Sequence, residues 1–339
     1  MDFDWNEDQE ALRDALFRMT ARHAAQPTSG GTAAPVHFAY NWDLDAELTK
    51  GEFFSVARAP EFGRIGAALV VQETARSARV VETVASALIA PLLFDEGLPR
   101  PIAVARVEDL TRMVRFLPVA KTLLVDTGAE IVAIDIAADK IEEIESPFAY
   151  PVGRYRQARE LSARRLATSD RTAFLSLWRL GIALEVSALA RTALDFTVAY
   201  VKERQIFGRT LETFQAVQHR LAEDAELIQG VQWLALQAAW SGDAKDCAVA
   251  ALHAQNIVRK VTYDLHQFNG ASGFTLENPL HFWTYRLKWL QGDLGGPQEQ
   301  AEAVAMAAWG ALGDGSRLPW GSVGVAPTDT THALQGEVG

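Results

Sequence analysis

The chain has 339 residues, of which 49% are hydrophobic and 22% are charged, a composition that excludes a disordered protein. Its formal net charge of -11 argues against a nucleic-acid partner, because such binding needs a basic face that displaces counterions from phosphates. The single cysteine, Cys247, excludes a disulfide framework and fits a reducing cytoplasm.

The first part of the chain is predicted to be helical. Leu12, Leu16 and Met19 recur at helical spacing within residues 5–25, and helical composition returns over residues 61–93 after a loop at 26–36. The acidic N-terminus does not resemble a signal peptide, and the longest apolar runs, such as residues 87–94, are too short to span a bilayer. We therefore expect a cytoplasmic protein whose residues 1–98 form an N-terminal helical domain.

The amino-acid composition changes near Pro99, where short segments rich in β-branched residues alternate with Gly, Asp and Pro. The segments PIAVARV, VRFLPVAKTLLVDT and EIVAIDIA have the composition of strands. The segment SPFAYPVGRYR contains two prolines and a glycine, which predicts the end of regular structure near Tyr155. Residues 99–165 are assigned to a small β domain.

Residues 166–313 are predicted to form a second helical domain. A stripe of apolar side chains at spacings of three and four residues runs along one long helix, comprising Ile182, Val186, Leu189, Ala193, Phe196 and Tyr200. A second such helix carries apolar residues at the same spacings, namely Phe214, Val217, Leu221, Ile228 and Val231. Further helices are expected from 244 to 268, 279 to 291 and 297 to 312. Long helices with short connections predict an antiparallel bundle, and residues 314–339 lack periodicity and are expected to be a loosely ordered tail.

Two motifs lie in this predicted bundle. The first, YVKERQIFGRTLETFQ, covers residues 200–215, and the second, QFNGASG, covers residues 267–273. Together with the order of the domains, they resemble the flavin-contacting motifs of the acyl-CoA dehydrogenase family. The resemblance implies a mainly α fold with a small β module: an N-terminal helical bundle, a reduced β domain and a C-terminal antiparallel four-helix bundle.

In that family FAD lies between two subunits, and the bundle of one chain holds the adenosine diphosphate end of its neighbour's cofactor. The resemblance places Arg204 at the pyrophosphate, a role suited to an always charged, planar guanidinium. It places Phe207 near the adenine end and Gln215 at the following polar contact. Gln267 and Gly270 match the loop that approaches the neighbour's FAD, where a glycine allows a close backbone approach.

The residue that does the family's proton chemistry is missing at its expected positions. Family members remove the α-proton of an acyl-CoA thioester with a glutamate while a hydride leaves for the flavin. Leu294 occupies the usual glutamate position and Trp178 the alternative one, and neither side chain accepts a proton. Asp293 is the remaining candidate base, although it is one residue away and one methylene shorter, and a turn aspartate beside Gly292 is its alternative interpretation.

The predicted β domain also departs from the family. Its members have a longer β domain, with a TEPxxGS-like segment and a tryptophan followed by a small hydroxyl residue on the flavin side. Residues 99–155 contain neither feature and no tryptophan at all. The resemblance therefore predicts that this chain does not hold the flavin ring of a site of its own.

A chain that lacks the base but keeps the neighbour-facing motifs resembles the short, base-lacking subunits of heteromeric α2β2 bacterial acyl-CoA dehydrogenases, many of which act on steroid side-chain CoA thioesters. The expected partner is a longer catalytic subunit, with which the chain shares FAD. Two alternatives stay open. The chain could be an autonomous dehydrogenase that uses Asp293 or another carboxylate, or a non-enzymatic acyl-CoA-binding or scaffold protein.

Other kinds of site find little support. The seven histidines include no pair at metal-ligand spacing beside a carboxylate, so no metal site is predicted. His266 precedes Gln267 and could face a partner, although a histidine at a helix end is the simpler interpretation. Trp178, Trp283 and Trp289 could line an acyl pocket, or could belong to the core.

Overall fold

The computed structural model describes residues 5–23, 40–136, 138–156, 163–165 and 170–310. Helix α1 spans Glu7–Arg22 and starts at a capping box in which the Asn6 and Gln9 side chains bond each other's backbone N–H groups. Helices α2 and α3 span Trp42–Lys50 and Gly63–Ala75. A π-helical turn, Val84–Ile89, leads into the short helix α4, Ala90–Leu93.

The continuous helical segment predicted over residues 61–93 is wrong in its middle. The chain leaves the helix after Ala75, and Val80 forms a parallel bridge with Tyr40. A new helical segment then begins, because the buried Glu82 carboxylate accepts the Ala85 N–H at 2.6 Å. Helix α2 was not predicted, and the predicted loop at 26–36 lies outside the described residues.

The β domain consists of two small sheets. Strands β1 (Ile102–Arg106), β3 (Thr122–Asp126), β4 (Ile131–Asp135) and β7 (Ala163–Arg165) form one sheet in the order β1-β3-β4-β7, in which only β1 and β3 are parallel. Strands β2 (Val114–Arg115), β5 (Ile141–Ile144) and β6 (Val152–Tyr155) form the other, in the order β2-β6-β5. Strand β6 lies within SPFAYPVGRYR, between its second proline and Arg156, and ends at Tyr155, where regular structure was expected to end; β7 nevertheless follows.

The C-terminal domain is built on five helices and a hairpin, in the order α5 (Arg171–Glu203), β8 (Gln205–Ile206), β9 (Arg209–Thr210), α6 (Gln215–Ser241), α7 (Ala244–Asn269), α8 (His281–Gly292) and α9 (Gly296–Trp309). Helix α5 lies at the centre and packs on α3, α6, α7 and α8. The predicted tail at 314–339 lies outside the described residues.

Helix α5 corrects one sequence expectation. It is long and apolar enough to cross a membrane by length and composition alone, whereas the apolar runs of the sequence were expected to be too short to span a bilayer. The most apolar 18 residues of this helix are 89% buried inside the protein, as in the core helix of a helical bundle. The expected fold class, mainly α with a small β module, is confirmed.

The hydrophobic core joins the domains. One large cluster of buried side chains runs from α1 through α3 to the C-terminal bundle and takes in Ile102, Phe116 and Leu124 of the β domain. A smaller cluster around Leu123 and Val132 lies inside the β domain itself. The β domain is thereby held against the end of α8 and the side of α5, which places the candidate base positions at its edge.

Candidate functional site

Arg204 lies at one end of the bundle. It caps the C-terminus of α5, where its backbone turns to an extended conformation with φ -71° and ψ 121°. Its backbone is fixed by two hydrogen bonds, from Arg204 N–H to the Tyr200 carbonyl and from Leu211 N–H to the Arg204 carbonyl. Its side chain is exposed and forms no ion pair with any residue that the structure describes. The guanidinium is therefore free to bind an anion.

Phe207 lies at the tip of the hairpin that follows. Phe207 and Gly208 both have positive φ, 50° and 78°, as a tight turn between two paired strands requires. A phenylalanine seldom adopts this conformation, and its side chain is 93% exposed. The turn therefore holds an aromatic ring in solvent at a cost to the backbone, which is common at functional sites.

Gln215 begins helix α6 immediately after this hairpin. Its side chain is exposed, and the N-cap residue Phe214 offers no side-chain oxygen to the first turn. The ring of Phe214 instead lies under the Arg209 guanidinium, 3.9 Å from its carbon. Uncapped N–H groups at the start of a 27-residue helix favour an anion, which matches the charge of Arg204.

The second motif lies at the end of α7. Gln267 is exposed. Gly270 ends the helix with φ 59°, and the space beside it is open, since a Cβ placed there would have no atom within 4 Å. Asn269 Nδ2 donates to Thr197 Oγ1 at 2.9 Å, which ties this end of α7 to α5. Ser272 Oγ lies 3.4 Å from the hydroxyl oxygen of Tyr200, which is one turn before Arg204 on α5. The structure thus brings both motifs to the same end of the bundle.

The two positions that the family gives to its base lie elsewhere. Leu294 follows α8 with φ 49°, and its side chain is packed into the core at 5% exposure. Its carbonyl accepts the Gln300 side-chain amide at 2.8 Å, and the Gln255 amide donates to the carbonyls of Leu290 and Asp293. Trp178 is buried on α5. The loop that carries Leu294 is therefore fixed, with a hydrocarbon directed into the protein.

Asp293 lines a cavity of about 540 Å³ between the β domain and the bundle. Its Oδ1 accepts the Leu294 N–H at 3.0 Å, and its Oδ2 lies 3.7 Å from Arg115. The other side of the Arg115 guanidinium donates to Glu185 on α5 at 2.6 Å. Asp293 thus lies in the turn after α8, beside Gly292 as expected, and is also a largely buried member of a charged cluster.

Arg115 and Glu185 were not identified from the sequence. Glu185 did carry a signal, because it is a charged residue within the apolar stripe of a core helix, where burial requires a partner.

Trp178 and Trp289 line the same cavity as Asp293, whereas the Trp283 N–H donates to the Arg76 carbonyl. His266 bonds Thr284 at 3.0 Å. Among the described residues, no group of His, Cys, Asp and Glu side chains could hold a metal ion.

Burial raises the pKa of the Asp293 carboxyl above its ordinary value, an effect that Arg115 and the Leu294 N–H only partly offset. The folded protein therefore binds this proton more tightly than the unfolded chain, and stability falls as pH rises from the unfolded pKa of about 3.9 through the folded one. Asparagine has no proton to lose. Thermal unfolding measures the effect, and we expect the Tm of Asp293→Asn minus the Tm of the parent to increase with pH.

Glu142→Gln is a control of opposite sign. A hydrogen bond from Arg154 lowers the pKa of the Glu142 carboxyl at the surface, so the ion pair stabilises the folded state above the unfolded pKa. Because Glu142→Gln removes this ion pair, the Tm of the variant minus that of the parent should fall as pH rises. A Tm difference for Asp293→Asn that does not depend on pH would contradict the raised pKa.

Comparisons with known proteins agree with this architecture. Residues 170–308 match the family model described as "Acyl-CoA dehydrogenase, C-terminal domain". A probable acyl-CoA dehydrogenase, YngJ of Bacillus subtilis, is 36% identical over 104 residues, which are 29% of this chain and 27% of that protein. The matched segments span 25 to 28% of the length of the first three curated relatives. Acyl-CoA dehydrogenase IpdE2 of Mycolicibacterium smegmatis is 25% identical over 309 residues, 87% of this chain and 97% of that protein.

Solved structures show the same fold over most of the chain. A steroid acyl-CoA dehydrogenase, the Tcur3481-Tcur3483 G363A variant, has a TM-score of 0.71 at 22% identity and covers 89% of this chain and 98% of its own. The ChsE4-ChsE5 complex of Mycobacterium tuberculosis has a TM-score of 0.72 at 19% identity, covering 91% and 99%. Residues 170–308 are thus similar to the C-terminal domain of acyl-CoA dehydrogenases, and the chain as a whole has the fold of these solved structures.

Proposed function

We propose that this chain is the non-catalytic subunit of a heteromeric, FAD-dependent acyl-CoA dehydrogenase that introduces a double bond between Cα and Cβ of an acyl-CoA. One observation carries the proposal. The exposed Arg204 guanidinium has no ion pair within the described residues and stands at the bundle end with both motifs, while Leu294 at the base position is a buried hydrocarbon. Such a chain can complete a partner's site but lacks the family's proton acceptor in its own.

The residues at the bundle end fit the adenosine diphosphate part of FAD. Arg204 would pair with the pyrophosphate, beside the uncapped start of α6, and Gln215 would add a polar contact there. The exposed ring of Phe207 would pack near the adenine end, and Gln267 with Gly270 would approach from α7. FAD, when bound, supplies the hydride acceptor of the reaction. The contribution of this chain is binding and orientation.

The class of substrate is proposed from its relatives. The steroid acyl-CoA dehydrogenase and the ChsE4-ChsE5 complex share this fold over about nine tenths of the chain, and both structures contain two named proteins. We therefore propose a cytoplasmic complex with a longer catalytic subunit, with a steroid side-chain CoA thioester as its substrate. The reduced β domain would leave room for a bulky acyl group.

The test is expression of the chain with and without a longer acyl-CoA dehydrogenase subunit that has the catalytic glutamate. The chain alone should be colourless and inactive, because Leu294 and Trp178 replace the base. The co-expressed complex should be yellow and active, with about one FAD for each pair of chains, since each site needs both. Flavin absorbance, subunit stoichiometry and acyl-CoA turnover measure this. A yellow and active homomer would refute the proposal.

An autonomous dehydrogenase that uses Asp293 is the second candidate. It is favoured by the position of this carboxyl, which lines the cavity between the β domain and the bundle and has a raised pKa. Its contacts with Arg115 and the Leu294 N–H oppose it, because they hold the carboxyl away from a substrate. Activity of the isolated chain that disappears in Asp293→Asn would support this candidate over a shared site.

A further inference from the structure

A second exposed surface lies beside the flavin motifs. A groove of about 870 Å³ runs between α7 and α8, with Tyr263, Phe274 and Tyr285 among its lining residues. The Tyr263 and Phe274 side chains are 66% and 74% exposed, and Leu276 beyond them is also exposed. Large apolar side chains are seldom left in solvent together, so this groove has the character of an interface.

The groove is held in shape by its own contacts. The His266 ring lies 5.1 Å from the ring of Phe274 and bonds Thr284 Oγ1 at 3.0 Å, which links α7, the following turn and α8. Gly273 allows this turn to be tight, because a Cβ there would lie 2.8 Å from the Asn269 side chain. The aromatic rings are thus presented on a pre-formed surface, which lowers the entropy cost of binding.

The charges around the groove indicate what covers it. Arg259 and Lys288 are exposed at its edge and form no ion pair within the described part of the chain, whereas Lys260 is neutralised by Glu223, Asp224 and Asp264. This edge is therefore positive on a chain whose net charge is -11. A two-fold pairing of identical grooves would bring like charges together, while a partner with acidic residues would be attracted.

The groove continues into the proposed cofactor-facing surface. Tyr263 and Gln267 are four residues apart on α7 and lie on one face of the helix, and Gly270 leads directly to Phe274. We propose that the α7–α8 groove docks the longer partner subunit through an apolar ridge flanked by carboxylates, next to the shared FAD. This inference rests on the proposed function, because it requires a second subunit.

The test measures subunit affinity in the co-expressed complex by analytical ultracentrifugation. Tyr263→Ala with Phe274→Ala should raise the subunit Kd at least about 30-fold, as expected when interface aromatics are truncated. Arg259→Glu with Lys288→Glu should also raise the subunit Kd and reduce its dependence on salt. Trp240→Ala is the matched control, since this aromatic is 60% exposed at the opposite end of α6, and it should leave the Kd unchanged. Thermal unfolding of each variant verifies folding.

The outcomes separate this inference from the proposed function. A complex with the parent Kd in both double variants would overturn the groove while leaving the shared flavin site intact. A complex that the groove variants weaken but that contains no FAD would support the groove and overturn the proposed function. A homodimer held by the groove, or no association of the parent chain with the longer subunit, would overturn the inference.

Discussion

Arg204→Ala is expected to weaken FAD binding by the two-subunit complex by about 2 kcal/mol, the scale of one charge-assisted contact, or about 30-fold in Kd. The Arg204 guanidinium is exposed, lacks an ion pair within the described residues, and stands beside the uncapped start of α6. Its loss removes charge from the cofactor contact without leaving a buried group unsatisfied. Retention of FAD during dialysis and fluorescence titration with FAD measure the effect.

Two further variants sharpen this experiment. Arg204→Lys keeps the charge but loses the planar, two-pronged geometry, so it should bind FAD with an affinity between those of the parent and the alanine variant. Arg191→Ala is the control, because this exposed arginine lies on the same helix, pairs with Asp195 and precedes the motif, which begins at Tyr200. Parent-like FAD occupancy in Arg204→Ala would remove Arg204 from the cofactor site.

The helical part of the fold could be predicted because its signals are local. The apolar stripe from Ile182 to Tyr200 predicts α5, and the apolar positions from Phe214 to Val231 predict α6. Helices α7, α8 and α9 begin and end within a few residues of the expected positions. Helix α2 was missed because a nine-residue segment offers too few repeats for periodicity to be recognised. Strands β5 and β6 were missed for a similar reason, since short strands depend on pairing between distant segments.

The candidate site divides in the same way. The Arg204 set could be identified because its members lie in two short motifs, yet the exposure of Phe207 depends on a turn with positive φ that its residue type does not favour. The cluster of Arg115, Glu185 and Asp293 joins three segments far apart in the chain. No local pattern pairs these residues, and only the packing of the β domain on the bundle brings them together.

Restoring the base would require a glutamate at the position of Leu294. A glutamate at this position would replace a side chain that is 5% exposed, at the wall of the same cavity that Asp293 and Arg115 line. Burying a carboxylate there without a partner is costly. A restored base would therefore meet a desolvation cost, in a loop whose backbone has positive φ from Leu294 through Gly296.

Arg115→Ala is expected to be the most destabilising single change considered, at about 3 to 5 kcal/mol, the cost of breaking a buried ion pair. Its removal leaves the buried carboxyls of Glu185 and Asp293 without their cation, and burial already raises the pKa of both. Because their pKa values then rise further in the folded state, the destabilisation should grow as pH rises above about 4. Urea unfolding at pH 5 and pH 8 measures the free energy of unfolding.

A double variant distinguishes loss of the ion pair from loss of packing. Arg115→Met with Glu185→Gln removes both charges and keeps most of the volume, so it should recover much of the stability that Arg115→Ala loses at pH 8. Arg154→Ala breaks an exposed ion pair in the same domain and should change little. If Arg115→Ala lost the same free energy at both pH values, and the double variant recovered none of it, Arg115 would act through packing alone. The charges of the cluster would then add nothing to the hydrophobic contacts that hold the β domain against α5 and the end of α8.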